Sequence, residues 1–198
     1  RRSGIGAFAV SPSRFDTAPM PIRRLYLDTP FGQAHVRLAA PPDEDDAVRS
    51  RLPLLCLPPQ PASGRTLEPL LALLGRRRRV AAVDLPGFGM SDAPRQSVTL
   101  DDYLDWLLGI ADALAMPACA WLGWLTGGRF AVPLAARYPR RVARLVLLGA
   151  PVPTAAERAT LKPPPVATPR RDGSHLQAEW QKWMAWWPGE PPLEEPSD

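Results

Sequence analysis

The stretch WLGWLTGGRFAVPLAARYP, Trp121–Pro139, reads as a strand, a tight glycine turn and a helix. Apolar residues run into Gly123, the small residues Gly127 and Gly128 follow the bend, and apolar residues resume at helical spacing until Pro139 stops them. Turns of this outline often present a catalytic nucleophile at their tip. The tip here, Leu125, is a leucine, whose side chain has no lone pair to attack with.

Working outward, IRRLYLD (Ile22–Asp28) and GQAHVRLAA (Gly32–Ala40) flank the turn TPFG and predict a hairpin. Continuous apolar runs then alternate with longer helical patterns. The runs are LPLLCL (Leu52–Leu57), RVAAVDL (Arg79–Leu85), ACAWLG (Ala118–Gly123) and VARLVLLGA (Val142–Ala150). Unbroken apolar runs are strands covered on both faces, so we expect a mostly parallel sheet of about six strands, its first pair antiparallel, with helices on both sides.

The intervening helices have legible ends. Leu67, Leu70, Leu71 and Leu74 recur at helical spacing before Gly75. The next helix has Thr99 as its N-cap with Asp101 and Asp102 in the first turn, where negative charge complements the helix dipole. A third spans about Gly127 to Tyr138 and carries Pro133, which predicts a kink because an interior proline removes a hydrogen bond. Beyond Pro151, proline-rich linkers surround one more helix, SHLQAEWQKWMAWW, in which Leu176, Trp180, Trp183 and Trp187 form a stripe that packs on a core or lid.

The chain has 198 residues, 45% of them hydrophobic, enough for one domain with a sizeable core. A net charge of +4 and a pI of about 9.6 bear on solubility more than on function. The basic run Arg76–Arg79 sits where a helix-to-strand loop belongs and reads as solvated, so no nucleic-acid partner is expected. No apolar run approaches the roughly 18 residues of a membrane span. Cys56 and Cys119 read as small buried hydrophobes of a reducing, cytoplasmic compartment. RRSGIGAFAV is too short and glycine-broken for a signal peptide, and the absent initiator Met reads as a processed or partial chain.

These residues resemble the α/β-hydrolase fold family. VAAVDLPGFGMSDAP resembles its fourth strand and following D-x-P-G-x-G-x-S loop, SGRTLEPLLALL the helix after its oxyanion loop, and CAWLGWLTGGRFAVPLAARYPRRVARLVLLGAP its nucleophile strand, elbow, helix and next strand. DGSHLQAEWQKWMAWWP resembles the start of a cap in members acting on small esters and related substrates. The resemblance covers roughly Pro21 to Pro188. It implies an α/β core, C-terminally incomplete, over 21–151 and a partial helical cap over 152–188; pattern and composition make 1–20 an irregular segment and 189–198 a disordered acidic tail.

Set against the family pattern G-x-S-x-G, Gly123, Gly127 and Gly128 supply the elbow's small residues and Leu125 fills the nucleophile slot. Leu125 is expected at a strand-to-helix turn with positive φ or visible strain. Thr126 offers the one neighbouring hydroxyl, but its place in the turn points it elsewhere. Where many members have His-Gly, this chain has Pro58-Pro59, which lack N–H groups. The backbone N–H groups of Gln60 and Thr126 then remain as a possible two-donor oxyanion hole.

The family's acid and histidine follow later strands, and neither His35 nor His175 matches that position; both read as surface or structural, and Asp84 as a turn cap. No Cys/His cluster has metal-ligand spacing, and neither GFG nor GWLTGG continues into a phosphate-binding pattern, so no metal or cofactor is expected. The reading that follows is a hydrolase-fold protein without catalysis. Its former pocket, lined by Trp124, Leu125, Leu176, Trp180, Trp183 and Trp187, takes a small apolar molecule or a protein partner, with a homodimer as one form. The alternatives are a fragment of a hydrolase acting on small esters or related substrates, and an interaction protein using the Trp stripe and an open sheet edge.

Overall fold

The computed structural model describes residues 20–42, 50–151, 153–160 and 168–186. Contacts divide the chain into Arg1–Val152 and Pro153–Asp198. In the first unit, strands β1 (Arg23–Thr29) and β2 (Gly32–Ala39) form the expected antiparallel hairpin, with Tyr26 opposite His35 and Leu27 opposite Ala34. Strands β3 (Leu54–Leu57), β4 (Val80–Val83), β5 (Cys119–Trp124) and β6 (Val142–Leu148) complete a six-stranded sheet in the order β1-β2-β4-β3-β5-β6. The last four run parallel, and β2 pairs antiparallel with β4.

The unbroken apolar runs have the cause inferred for them. Because successive strand residues point to opposite faces, Leu55, Leu57, Val83 and Trp121 enter one apolar layer, while Leu54, Cys56, Ala82 and Leu122 enter the other. Helix α1 (Glu68–Leu74) covers the second layer through Leu71. Helices α2 (Leu100–Ala113) and α3 (Gly128–Arg137) cover the first through Leu104, Leu107, Ile110, Ala131 and Leu134. Thr99 caps α2 in a reciprocal box with Asp102, each side chain accepting the other's backbone N–H. The α3 helix is shorter than expected: its approach, Leu125–Gly127, is a tighter 3-10 turn, and Tyr138 is its C-cap. Pro133 stands inside it.

Strand β6 is unlike its neighbours. Among the described residues it pairs only with β5, and Val146, Leu147 and Leu148 are 43%, 40% and 45% exposed. A composition suited to a covered strand therefore lies at the sheet's margin.

In the second unit, helices α4 (Ala155–Thr160) and α5 (Ser174–Trp186) are described. Leu176 and Trp180 of the expected stripe are both exposed. The side chain of Trp183, all of Trp187 and the acidic tail 189–198 lie outside the described residues, as does the segment 1–19.

Among the described residues no helix is long and apolar enough to cross a membrane.

Candidate functional site

The strand order places a crevice before any side chain is considered. From β3 the chain moves to β4 on one side and later returns to β5 on the other. At such a reversal the loops leaving the two central strands diverge, and in open parallel sheets ligands settle outside those carboxyl ends. The loop after β3 carries Pro58, Pro59 and Gln60, and the turn after β5 carries Leu125 and Thr126.

Leu125 adopts φ of +47°. For a branched L-residue this left-handed conformation costs about 1–2 kcal/mol, because Cβ approaches a carbonyl oxygen. The bend is nevertheless enforced on both sides by close packing. A Cβ on Gly123 would lie 2.6 Å from the Gly128 Cα, and one on Gly127 would lie 2.3 Å from the Leu57 carbonyl oxygen. A Cβ on Gly128 would meet the Ala150 Cβ at 2.5 Å. Strand, turn and helix thus approach as only glycine permits, and the tip residue is pushed outward. Leu125 is 45% exposed, leaning over Gly149, where an added Cβ would lie 3.1 Å from its Cδ2. Trp124, at the end of β5, is half-buried against the second apolar layer.

The expected two-donor hole does not stand open. The Gln60 N–H donates to Thr126 Oγ1 at 2.6 Å, so one of the two donors is already engaged by the protein's own hydroxyl. The Gln60 side-chain amide turns back to the Pro58 carbonyl oxygen at 2.7 Å. The Thr126 hydroxyl, tied to the β3 loop, braces the two lips of the crevice together. Nor do the thiols offer a nucleophile: burial pushes the Cys56 and Cys119 thiols up to about 12, and both side chains are enclosed.

A polar cluster escaped the sequence reading. His35, read as surface or structural, is buried, and its Nδ1 lies 2.9 Å from Asp84 Oδ2. Asp84 does cap its turn, accepting the Met90 N–H at 3.0 Å, but it does more. It also accepts the Gly64 N–H at 2.6 Å and the Arg37 guanidinium at 3.3 Å, and Arg37 continues to Glu68 at 2.9 Å. This carboxylate joins the loops after β3 and β4 to the buried face of β2. It holds the crevice rim in shape. The signal available in sequence was weak: two polar residues at i and i+2 of an apolar strand, His35 and Arg37, whose partner lies across a nonlocal strand pairing.

Comparison with known proteins agrees with this geometry. The sequence profile of the alpha/beta hydrolase fold matches residues 53–190, from the start of β3 through the described part of α5. The chain belongs to the α/β-hydrolase fold family. The α/β-hydrolase relatives include the 2-hydroxymuconate semialdehyde hydrolase of Pseudomonas sp. (strain CF600), 40% identical over 89 residues that cover 44% of this chain and 30% of the relative. A Bacillus subtilis (strain 168) carboxylesterase is 30% identical over 131 residues, 66% of this chain and 41% of that one. Among solved structures, a mutant of the N-acyl homoserine lactonase AidH superposes with a TM-score of 0.64 at 25% identity, covering 87% of this chain and 62% of its own. The chain spans about a third of the length of the curated relatives it matches. His175, at the start of α5, accepts the Arg170 N–H on its Nδ1 at 3.0 Å, a local contact within the second unit.

Proposed function

We propose that this α/β-hydrolase-fold chain binds a small apolar molecule at the crevice after β3 and β5 and does not turn it over from the elbow. The observation that carries this reading is Leu125. A strained backbone conformation persists only where the surroundings over-determine it, and such positions concentrate at functional sites. Here the strain presents an aliphatic side chain to the crevice. The engagement of Gln60 by Thr126 supports the same reading, because a hole whose donor is already satisfied stabilises a developing oxyanion poorly. An esterase and a lactonase among the relatives named above favour an acyl compound as the ligand class, and the apolar Leu125 at the tip favours one without charge there.

The test uses p-nitrophenyl butyrate, a fluorophosphonate probe and phenyl butyrate. The chain is expected to release no p-nitrophenolate above the buffer rate, to remain unlabelled by the fluorophosphonate, and to bind phenyl butyrate saturably by tryptophan fluorescence. Leu125→Asp is expected to abolish that binding by placing a charge on the apolar contact. Burst release of p-nitrophenolate, or a label on Thr126, overturns the reading.

A second reading, association through a sheet edge, is favoured by β6. Its exposed Val146, Leu147 and Leu148 and its single strand neighbour among the described residues make a surface that accepts another strand, from the same polypeptide or a second copy. Sedimentation should show concentration-dependent association that Val146→Lys with Leu148→Lys eliminates. A monomer at all concentrations before substitution counts against a homodimer.

A further inference from the structure

The lip of the crevice after β3 is poor in donors. Pro58, Pro59 and Pro61 have no backbone N–H, so Gln60 carries the one backbone donor in the stretch 58–61. Its side-chain amide donates to the Pro58 carbonyl oxygen at 2.7 Å, a contact within the loop itself. Thr126 Oγ1 stands in front of the Gln60 N–H at 2.6 Å. A hydroxyl oxygen at that distance fills the place that a ligand's carbonyl oxygen would take.

Two anchors hold this arrangement without help from the hydroxyl. The elbow touches the end of β3, since a Cβ on Gly127 would lie 2.3 Å from the Leu57 carbonyl oxygen. Beyond Gln60, the Gly64 N–H donates to Asp84 Oδ1 at 2.6 Å, which ties the far end of the same loop to the residue that follows β4. Thr126 is β-branched, so few χ1 rotamers are open to it and its hydroxyl keeps its place. The Gln60 donor is thus fixed at the crevice, and its acceptor position is filled from within.

We propose, on the reading of the crevice as a ligand site, that Thr126 sets which ligands it selects. With the hydroxyl in place, a ligand is held by its apolar body against Leu125, and a carbonyl oxygen on that body gains no hydrogen bond from Gln60. Ethers shaped like esters are then held at least as well, because an ester carbonyl loses its water without gaining a donor. Without the hydroxyl the anchored Gln60 N–H faces the crevice unmet, and a carbonyl oxygen completes it.

Phenyl butyrate and butyl phenyl ether test this, since the ether keeps the ring, the linking oxygen and the alkyl chain but lacks the carbonyl oxygen. Each is titrated into the parent, Thr126→Ala and Thr126→Ser, followed by tryptophan fluorescence and by the Gln60 amide resonance. In the parent the ether is expected to bind at least as tightly as the ester. Thr126→Ala is expected to bind the ester about fivefold more tightly than the ether, the ratio that one net hydrogen bond supplies, with the Gln60 amide shifting for the ester alone. Thr126→Ser keeps the oxygen and should retain the parent's order. Binding of both compounds by the parent with no ester preference in Thr126→Ala overturns the role of Thr126 while the ligand site stands. Binding of neither by the parent removes the ligand site; a Thr126→Ala protein that then takes the ester still supports the role of Thr126, and one that takes neither overturns both. If Thr126→Ala does not fold, the parent decides: an ether bound at least as tightly with the Gln60 amide unmoved supports the proposal, and an ester preference with that amide moving for the ester alone overturns it.

Discussion

Asp84→Ala is expected to remove about 3–5 kcal/mol of folding free energy, read as a fall in the urea midpoint at an unchanged denaturant slope. The magnitude follows from what the carboxylate holds. Its removal leaves the Gly64 and Met90 N–H groups without their acceptor and the His35 ring without its carboxylate neighbour, and leaves the buried Arg37 with Glu68 as its remaining carboxylate. Breaking one partner of a buried ionic cluster costs far more than the cluster contributes net, since the remaining charge stays desolvated. Glu68→Ala provides the contrast. Glu68 is partly exposed, water replaces it at Arg37, and its loss should cost about 1 kcal/mol or less. Comparable small losses from both variants would show that Asp84 is not the hub of the rim. With typical domain stabilities of about 5–15 kcal/mol, the Asp84 variant stands near the edge of folding.

Gly127→Ala is expected to cost about 3 kcal/mol and to abolish binding at the crevice. The added methyl would lie 2.3 Å from the Leu57 carbonyl oxygen and 2.8 Å from its carbon, both backbone atoms of β3 that no rotamer change can move aside. Relief requires the end of β3 and the elbow to separate, which also breaks the 2.6 Å bond from Gln60 to Thr126. Gly109→Ala makes the same chemical change in open space and should instead raise stability by about 0.5–1 kcal/mol through helix propensity. Thermal unfolding of the two variants side by side checks the pair. A Gly127→Ala protein as stable as the parent would mean that the elbow is not packed as described.

Much of the fold was legible because its signals are local. Unbroken apolar runs marked β3, β4 and β5, Thr99 with Asp102 marked the start of α2, and TPFG marked the hairpin. Leu125 at the tip of a glycine-crowded turn was readable for the same reason: the small residues that force a positive φ lie within a few positions of it. An open sheet edge was expected, but not that β6 forms it, since its Val-Leu-Leu composition is that of a covered strand and only the sheet order shows which strand stands at the margin.

What the sequence determined by itself was the alternation of strands and helices, the elbow and the leucine on it, because each depends on the conformational preferences of neighbouring residues. Only the tertiary structure decided that Gln60 is engaged by Thr126, 66 positions away, and that His35, Arg37, Glu68 and Asp84 converge in one buried cluster. Contacts of this kind are set by strand order and by which residues the folded chain brings opposite one another. No local preference encodes them, since hydrogen bonding and charge act through distance in space rather than separation along the chain.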